Sequence, residues 1–155
     1  MLLQVLQDGP WKIVSPVEGE GDDMTCALLL RLEELMAAYE GSVNGFYDLL
    51  TRIDHIGPRR LGNELYRCVD DKNEIYEFRK GDLRIFSFTF GGAICVCANV
   101  GIKKGQKVSK PDLKVAQRIQ SQVAAAAGTG TLRYVKIDEE GDLEVMTQAQ
   151  LLTKK

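Results

Sequence analysis

This chain of 155 residues holds one histidine, one tryptophan and four prolines, and only 7% of it is aromatic. A lone histidine, His55, excludes a two-histidine ribonuclease mechanism and any paired-histidine metal site. Phosphate-cradling signatures are absent: there is no GxxxxGKS loop, and no GxGxxG follows a strand. No uncharged apolar run approaches the roughly 20 residues of a membrane span. Met1-Leu2-Leu3 has neither a basic region nor a cleavage site after it, so a cytoplasmic protein without a membrane partner is expected. Four cysteines (Cys26, Cys68, Cys95 and Cys97) lack zinc-like spacing and fall within predicted helix and strands. They read as small buried hydrophobes in a reducing compartment.

What is present is an uneven distribution of charge. The net charge is only -2, yet residues 1–56 carry ten acids and three bases, whereas residues 79–118 carry nine bases and two acids. A basic module beside an acidic one suggests a polyanionic partner for the first. The alternative is that the lysines only solvate a loop and a helix face.

The organising stretch runs from Ile75 to Arg118. Strand-like runs at Ile75–Lys80, Leu83–Phe90 and Ala93–Ile102 are parted by Gly81-Asp82 and Gly91-Gly92, short turns of the antiparallel type. A loop with Lys103, Lys104 and Lys107 follows. Ser109 then opens a helix, with Pro111 in its first turn and Leu113, Ala116, Ile119, Val123 and Ala127 facing inward. Upstream, Met1 to Pro10 is an arm or short strand, and WKIV (Trp11 to Val14) is a first strand ended by Ser15-Pro16. Asp22 or Asp23 caps a helix with Met24, Leu28, Leu32, Leu35, Met36 and Tyr39 on one stripe as far as Gly41. Ser42 caps a second helix, stopped by Gly57-Pro58. The two together predict an αα-hairpin. A short strand is possible at Leu65–Val69, and the tail, Thr129 to Lys155, reads as an added β-hairpin. The expected class is α+β: a small antiparallel meander with an N-terminal αα-hairpin and a C-terminal helix. It forms one domain over residues 1–155, with a core at about 11–127 and an extension at 128–155.

Alternation puts Ile75, Glu77 and Arg79 on one face of their strand, and Arg84, Phe86, Phe88 and Phe90 on one face of theirs. An arginine on an apolar strand either faces a groove or finds an acid, and Glu77 and Asp82 are the nearby acids. Phe86 and Phe88 either stack on bases or belong to the core. A lysine among Lys103, Lys104 and Lys107 is a candidate base, if neighbouring cations lower its pKa.

At these residues a resemblance enters. Glu77-Phe78-Arg79, a turn and Leu83-Arg84-Ile85 resemble the core of the RelE/HigB superfamily of toxins from type II toxin–antitoxin systems. Gly101 to Asp112, with Ala116 following, is similar to a segment that marks the phage-derived, HigB-like branch. The resemblance covers about Leu49 to Gln120 and implies a RelE-like fold. It also implies a metal-independent mRNA endonuclease without cofactors, which acts at the ribosome, inhibits translation and is neutralised by a cognate antitoxin. Carried over by motif, Arg84, Arg79 and Lys104 are the implied catalytic residues. Lys80, Lys103, Lys107, Lys110, Phe86 and Phe88 are the implied RNA contacts. Ile75 and Glu77 stand where relatives place lysines, so a catalytically reduced or inactive binding or regulatory protein of phage or mobile-element origin is the alternative. The tail's Glu139, Glu140, Asp142 and Glu144 raise one further expectation, that the hairpin covers the basic face.

Overall fold

The computed structural model describes residues 1–19, 23–103, 105 and 107–153. Among them are strands β1 (Leu2–Asp8), β2 (Lys12–Glu18) and β3 (Thr25–Cys26), followed by helix α1 (Ala27–Ile56). Strands β4 (Tyr66–Asp70), β5 (Ile75–Lys80), β6 (Leu83–Phe90) and β7 (Ile94–Ile102) come next, then α2 (Lys110–Gly128). The chain ends in β8 (Arg133–Ile137), β9 (Leu143–Met146) and α3 (Gln148–Thr153). All strands join one sheet, in the order β4-β5-β6-β7-β2-β1-β8-β9, with β3 paired to β2. No described helix is long and apolar enough to cross a membrane.

The α+β class and the meander stand, and β4 lengthens the meander to four antiparallel strands. The sheet is larger and more mixed than expected, because β2 pairs parallel with β7 and β1 pairs parallel with β8. The segment expected to be an arm or short strand is therefore a strand, and with the WKIV strand it forms the middle of the sheet, where Leu3, Ile13 and Val14 are fully buried. Nor does Pro16 end its strand. Pairing with β7 stops at Val14, and Pro16, opposite Leu3 of β1, needs no N–H toward β7. The tail does form a hairpin, and it continues the sheet through β1. Helix α3 was not foreseen, although Thr147 and Gln150 form a capping box. The Thr147 N–H donates to Gln150 Oε1 (2.8 Å), and the Gln150 N–H donates to Thr147 Oγ1 (3.3 Å).

The αα-hairpin is corrected to one helical element bent at Tyr39, where φ is -134° and ψ is 39°. Gly41 keeps a helical backbone rather than the left-handed one that would end a helix, so no hairpin turn forms. Ser42 caps no helix. Its Oγ instead accepts the Asp82 N–H of the β5–β6 turn (3.3 Å). The α1 N-cap is Cys26, without a side-chain cap bond, so Asp23 does not cap it, and Asp22 lies outside the described residues. Both halves of α1 bury apolar faces in one cluster (Leu28, Leu32, Leu35, Val43, Phe46, Leu49 and Ile53) against one side of the sheet.

The opposite side carries α2, capped by Ser109, whose Oγ accepts the Asp112 N–H. Its buried positions are Ala116, Val123 and Ala126 (rather than Ala127), packed on Phe86, Phe88, Val96 and Tyr134. Within the sheet, strand alternation decides which side chains meet which helix. In β7 a bulge opposite Phe86 and Ser87 shifts the phase. Cys95 and Cys97 face α1 before it, and Val100 and Ile102 do so after it. Gly101 is thereby turned to the α2 side.

Candidate functional site

Beside the α2 N-terminus, the α2 side of the sheet is left open as a cleft of about 390 Å³. Strand β4 contributes Arg67 and Cys68, β5 Glu77 and Arg79, β6 Arg84 and Phe86, and the β7–α2 loop Lys103 and Lys107. Local chemistry explains the vacancy. Gly101 carries no side chain, and a Cβ there would strike the Asp112 carboxylate. Asp112 is held in turn by its carbonyl, which accepts from Asn99 Nδ2 (3.0 Å). The far wall is tied down where Gln117 donates to Asp70 (2.9 Å) and Gln120 to the Asn73 carbonyl (2.7 Å). The positive end of the α2 dipole borders the opening.

Among the described residues, five cationic side chains (Arg67, Arg79, Arg84, Lys103 and Lys107) line the cleft against two carboxylates, Glu77 and Asp112. Register places Arg67 opposite Glu77 and Arg79 opposite Arg84. Glu77 is 6% exposed. Its Oε1 lies 3.7 Å from Arg79 Nε and 4.0 Å from Arg84 Nε, beyond hydrogen-bond distance. Arg84 Nη1 donates to the carbonyls of Gly81 and Leu83, both at 2.9 Å, so the β5–β6 turn aims this guanidinium. Among the described residues, Arg79 Nε is buried without an acceptor. Burial raises the Glu77 carboxyl above the usual range, although Arg84, Arg79 and Arg67 pull the other way. Burial and the neighbouring Arg79 lower the Arg84 guanidinium.

The cleft thus gathers Arg79, Arg84, Lys103 and Lys107 from the expected set. Lys104 lies outside the described residues. Lys80 is not in the cleft: it shares a face with Phe78, and its side chain lies across Gly45 of α1, in the space a Cβ would take. Exposed Lys110 starts α2 and does not line the cleft. Phe86 and Phe88 are 1% and 2% exposed within the core under α2, so the core reading replaces base stacking. Cys26, Cys95 and Cys97 are buried as expected, but Cys68 is exposed at the cleft wall.

Arg67 and Glu77 were not among the site residues read from sequence. Glu77 shares a face with Arg79 by simple alternation, which was the available signal, and Arg67 reaches the site only through pairing of β4 with β5. The acidic hairpin does not cover the cleft. Strand β9 stands six places from β5 in the sheet order, roughly 29 Å away at the usual strand spacing.

The family model described as "Phage derived protein Gp49-like (DUF891)" matches residues 33–121, more than half of the chain and every residue of the cleft. The chain belongs to the Gp49-like family. This family sits within the RelE/HigB-like superfamily of toxin–antitoxin toxins. No curated protein matches the sequence. In this Gp49-like protein the matched stretch opens within α1 and closes within α2. The β1–β2 hairpin and the β8–β9–α3 tail fall outside it.

Proposed function

We propose that this Gp49-like protein is the toxin of a type II toxin–antitoxin module, of the HigB-like branch, and that it cuts ribosome-associated messenger RNA without a metal. The observation that carries this reading is the cleft, in which Arg79 and Arg84 lie side by side among further cations. Two like charges directly opposite on paired strands destabilise a sheet, and an anion between them relieves that repulsion. A phosphodiester is such an anion. As the 2′-hydroxyl attacks the adjacent phosphate, negative charge grows on the phosphoryl oxygens. Preorganised guanidinium groups in a partly water-excluded cleft stabilise that charge. Lys103 and Lys107 attract the RNA backbone and lie near the leaving 5′-oxygen, which needs a proton.

The bent α1, the β4–β7 meander and α2 then form a RelE-like core, and the remaining strands extend its sheet. An antitoxin protein is the implied neutralising partner. A second reading, a binding or regulatory protein without nuclease activity, is favoured by one observation. Arg84 already spends two N–H donors on the Gly81 and Leu83 carbonyls and faces a carboxylate.

The deciding experiment is induced expression of the wild type and Arg84→Ala in a bacterial host, with growth and messenger cleavage followed together. Growth arrest with codon-phased cuts, relieved by the substitution, supports the toxin. Folded, well-expressed protein that neither arrests growth nor cuts messenger supports the binding protein.

A further inference from the structure

Glu77 is the buried carboxylate of the cleft, and phosphate binding leaves it unexplained. A carboxylate on the floor of an anion site opposes the ligand, and burial makes its charge costly. Among the described residues no hydrogen bond reaches either Glu77 oxygen, and neither oxygen is among the fully buried unpaired atoms, so the carboxylate is open to the cleft. The two ion pairs, at 3.7 and 4.0 Å, are too long to supply one. Arg79 Nε beside it is a buried donor with no acceptor. The site therefore presents an acceptor open to the cleft, the Glu77 carboxylate, next to a buried donor without a partner, Arg79 Nε. Its complement is a ligand carrying a hydroxyl donor beside an anionic acceptor. Ribose with its 2′-hydroxyl next to the 3′-phosphate has that arrangement, and DNA lacks the hydroxyl.

We infer that Glu77 is a catalytic residue, which accepts the proton of the 2′-hydroxyl next to the phosphate held by Arg79 and Arg84. The inference rests on the reading of the cleft as a messenger-cleaving site. As the proton passes to the Glu77 carboxylate, the 2′-oxygen forms a bond to phosphorus and the bond from phosphorus to the 5′-oxygen breaks. The products are a 2′,3′-cyclic phosphate and a 5′-hydroxyl, whose proton comes from water or an exposed loop lysine. Glu77 then returns its proton to solvent. Its raised pKa brings the carboxylate closer to the working pH, which favours a general base. As a mere counter-ion for the two arginines, Glu77 would be expected to make the short charge-assisted hydrogen bonds that are missing here.

The test measures messenger cleavage on ribosomes across pH for the wild type, Glu77→Gln and Glu77→Asp. Binding of an RNA oligonucleotide and its all-2′-deoxy counterpart is measured in parallel, with thermal melts to confirm folding. Removing a general base lowers the rate by about 10²- to 10⁴-fold. Glu77→Gln is expected to show that loss with RNA binding within about threefold of wild type, and to lose the acidic limb of the pH profile. Glu77→Asp should recover part of the rate. The preference for RNA over the deoxy strand should shrink in Glu77→Gln. Cutting by Glu77→Gln at the wild-type rate, with the acidic limb intact, overturns the role of Glu77 and leaves the nuclease reading standing. A wild type that cuts nothing overturns both.

Discussion

Arg79 on β5 and Arg84 on β6 are direct cross-strand partners, and the Glu77 carboxylate lies within 4.0 Å of both guanidinium Nε atoms. A pair of like charges is a poor choice for sheet stability. Arg84→Ala should therefore cost little in folding, within about 1 kcal/mol of wild type, while lowering messenger cleavage by about 10²- to 10³-fold, as for loss of one oxyanion donor. Parallel urea titrations and cleavage assays check this. A large stability loss with activity retained would make Arg84 a structural residue.

Stability should depend on pH through Glu77 in an unusual direction. Its folded-state pKa is raised, burial outweighing the nearby arginines. Between the unfolded and folded values the folded chain therefore holds more protons, and stability falls as pH rises. The contribution is complete below the ordinary glutamate range, about 4.3, and is lost as pH passes through the folded value. Relative to Glu77→Gln, which does not titrate, the wild type should thus lose stability between mildly acidic and neutral pH. Urea midpoints of both proteins across that interval measure the difference.

Asp8 should show the opposite sign. Burial opposes its charge, but hydrogen bonds from Lys12 and Lys136 outweigh that and hold its carboxyl below the usual range. Lys12 Nζ is 2.6 Å away on β2, and Lys136 reaches the same carboxylate from β8, so one side chain ties three strands. This stabilisation is present above the unfolded pKa and is lost as pH falls through the folded value. Asp8→Asn leaves nearly buried Lys12 without its acid and should cost about 2 kcal/mol at neutral pH. Faster amide exchange in β8 and β9 than in β5 and β6 would locate the loss.

The elements legible in the sequence were those with strong local periods or turn chemistry. The strands at Ile75, Leu83 and Ala93 with their glycine turns, the Ser109 cap and the tail hairpin are specified within a few residues. Parallel pairing of β2 with β7, across some eighty residues of chain, has no local signature, so the strands of the sheet's middle were legible but their pairing was not. The αα-hairpin failed because Gly41 and Ser42 imitate a helix break, while tertiary contacts use Ser42 to brace the Gly81 turn. Alternation correctly grouped Arg84 with Phe86 and Phe88 on one side of the sheet. It does not report where α2 ends and the open cleft begins, a boundary that puts Phe88 under the helix, Phe86 at the edge and Arg84 in the cleft.

Gly81 is the next point where stability and site are coupled. Its φ is +57°, in the left-handed region, and a Cβ there would collide with Ser42 Oγ. Its carbonyl also receives Arg84 Nη1. Gly81→Ala should cost about 1–2 kcal/mol for the backbone conformation alone, with the Ser42 clash in addition, and should lower cleavage by misaiming Arg84. Ser42→Ala should cost less, about 1 kcal/mol for one partly exposed hydrogen bond, and should leave cleavage near wild type. A cleavage loss in Ser42→Ala as deep as in Gly81→Ala would contradict this separation.

The acidic hairpin offers a test of distance. Asp138, Glu140 and Asp142 are exposed, with carboxylate oxygens all within 4.8 Å of one another. They repel one another, and Asp138 already accepts the Glu140 and Asp142 N–H groups to hold the turn. Neutralising the two carboxylates not used in that turn, as Glu140→Gln with Asp142→Asn, should keep or slightly raise stability, by less than about 0.5 kcal/mol. Cleavage should stay within about twofold of wild type, because β9 is five places from β6, roughly 24 Å at the usual strand spacing and well over the Debye length of about 8 Å at physiological salt, so their field is screened before it reaches Arg84. Deleting residues 129–155 outright is a different matter, because it strips Leu132, Tyr134, Met146 and Leu151 from the α2-side core. The deletion should yield a poorly folded chain, so the charge variant is the one that asks whether the tail governs the cleft. A marked rise in cleavage from the charge variant alone would mean that the hairpin acts on the site by a route other than covering it.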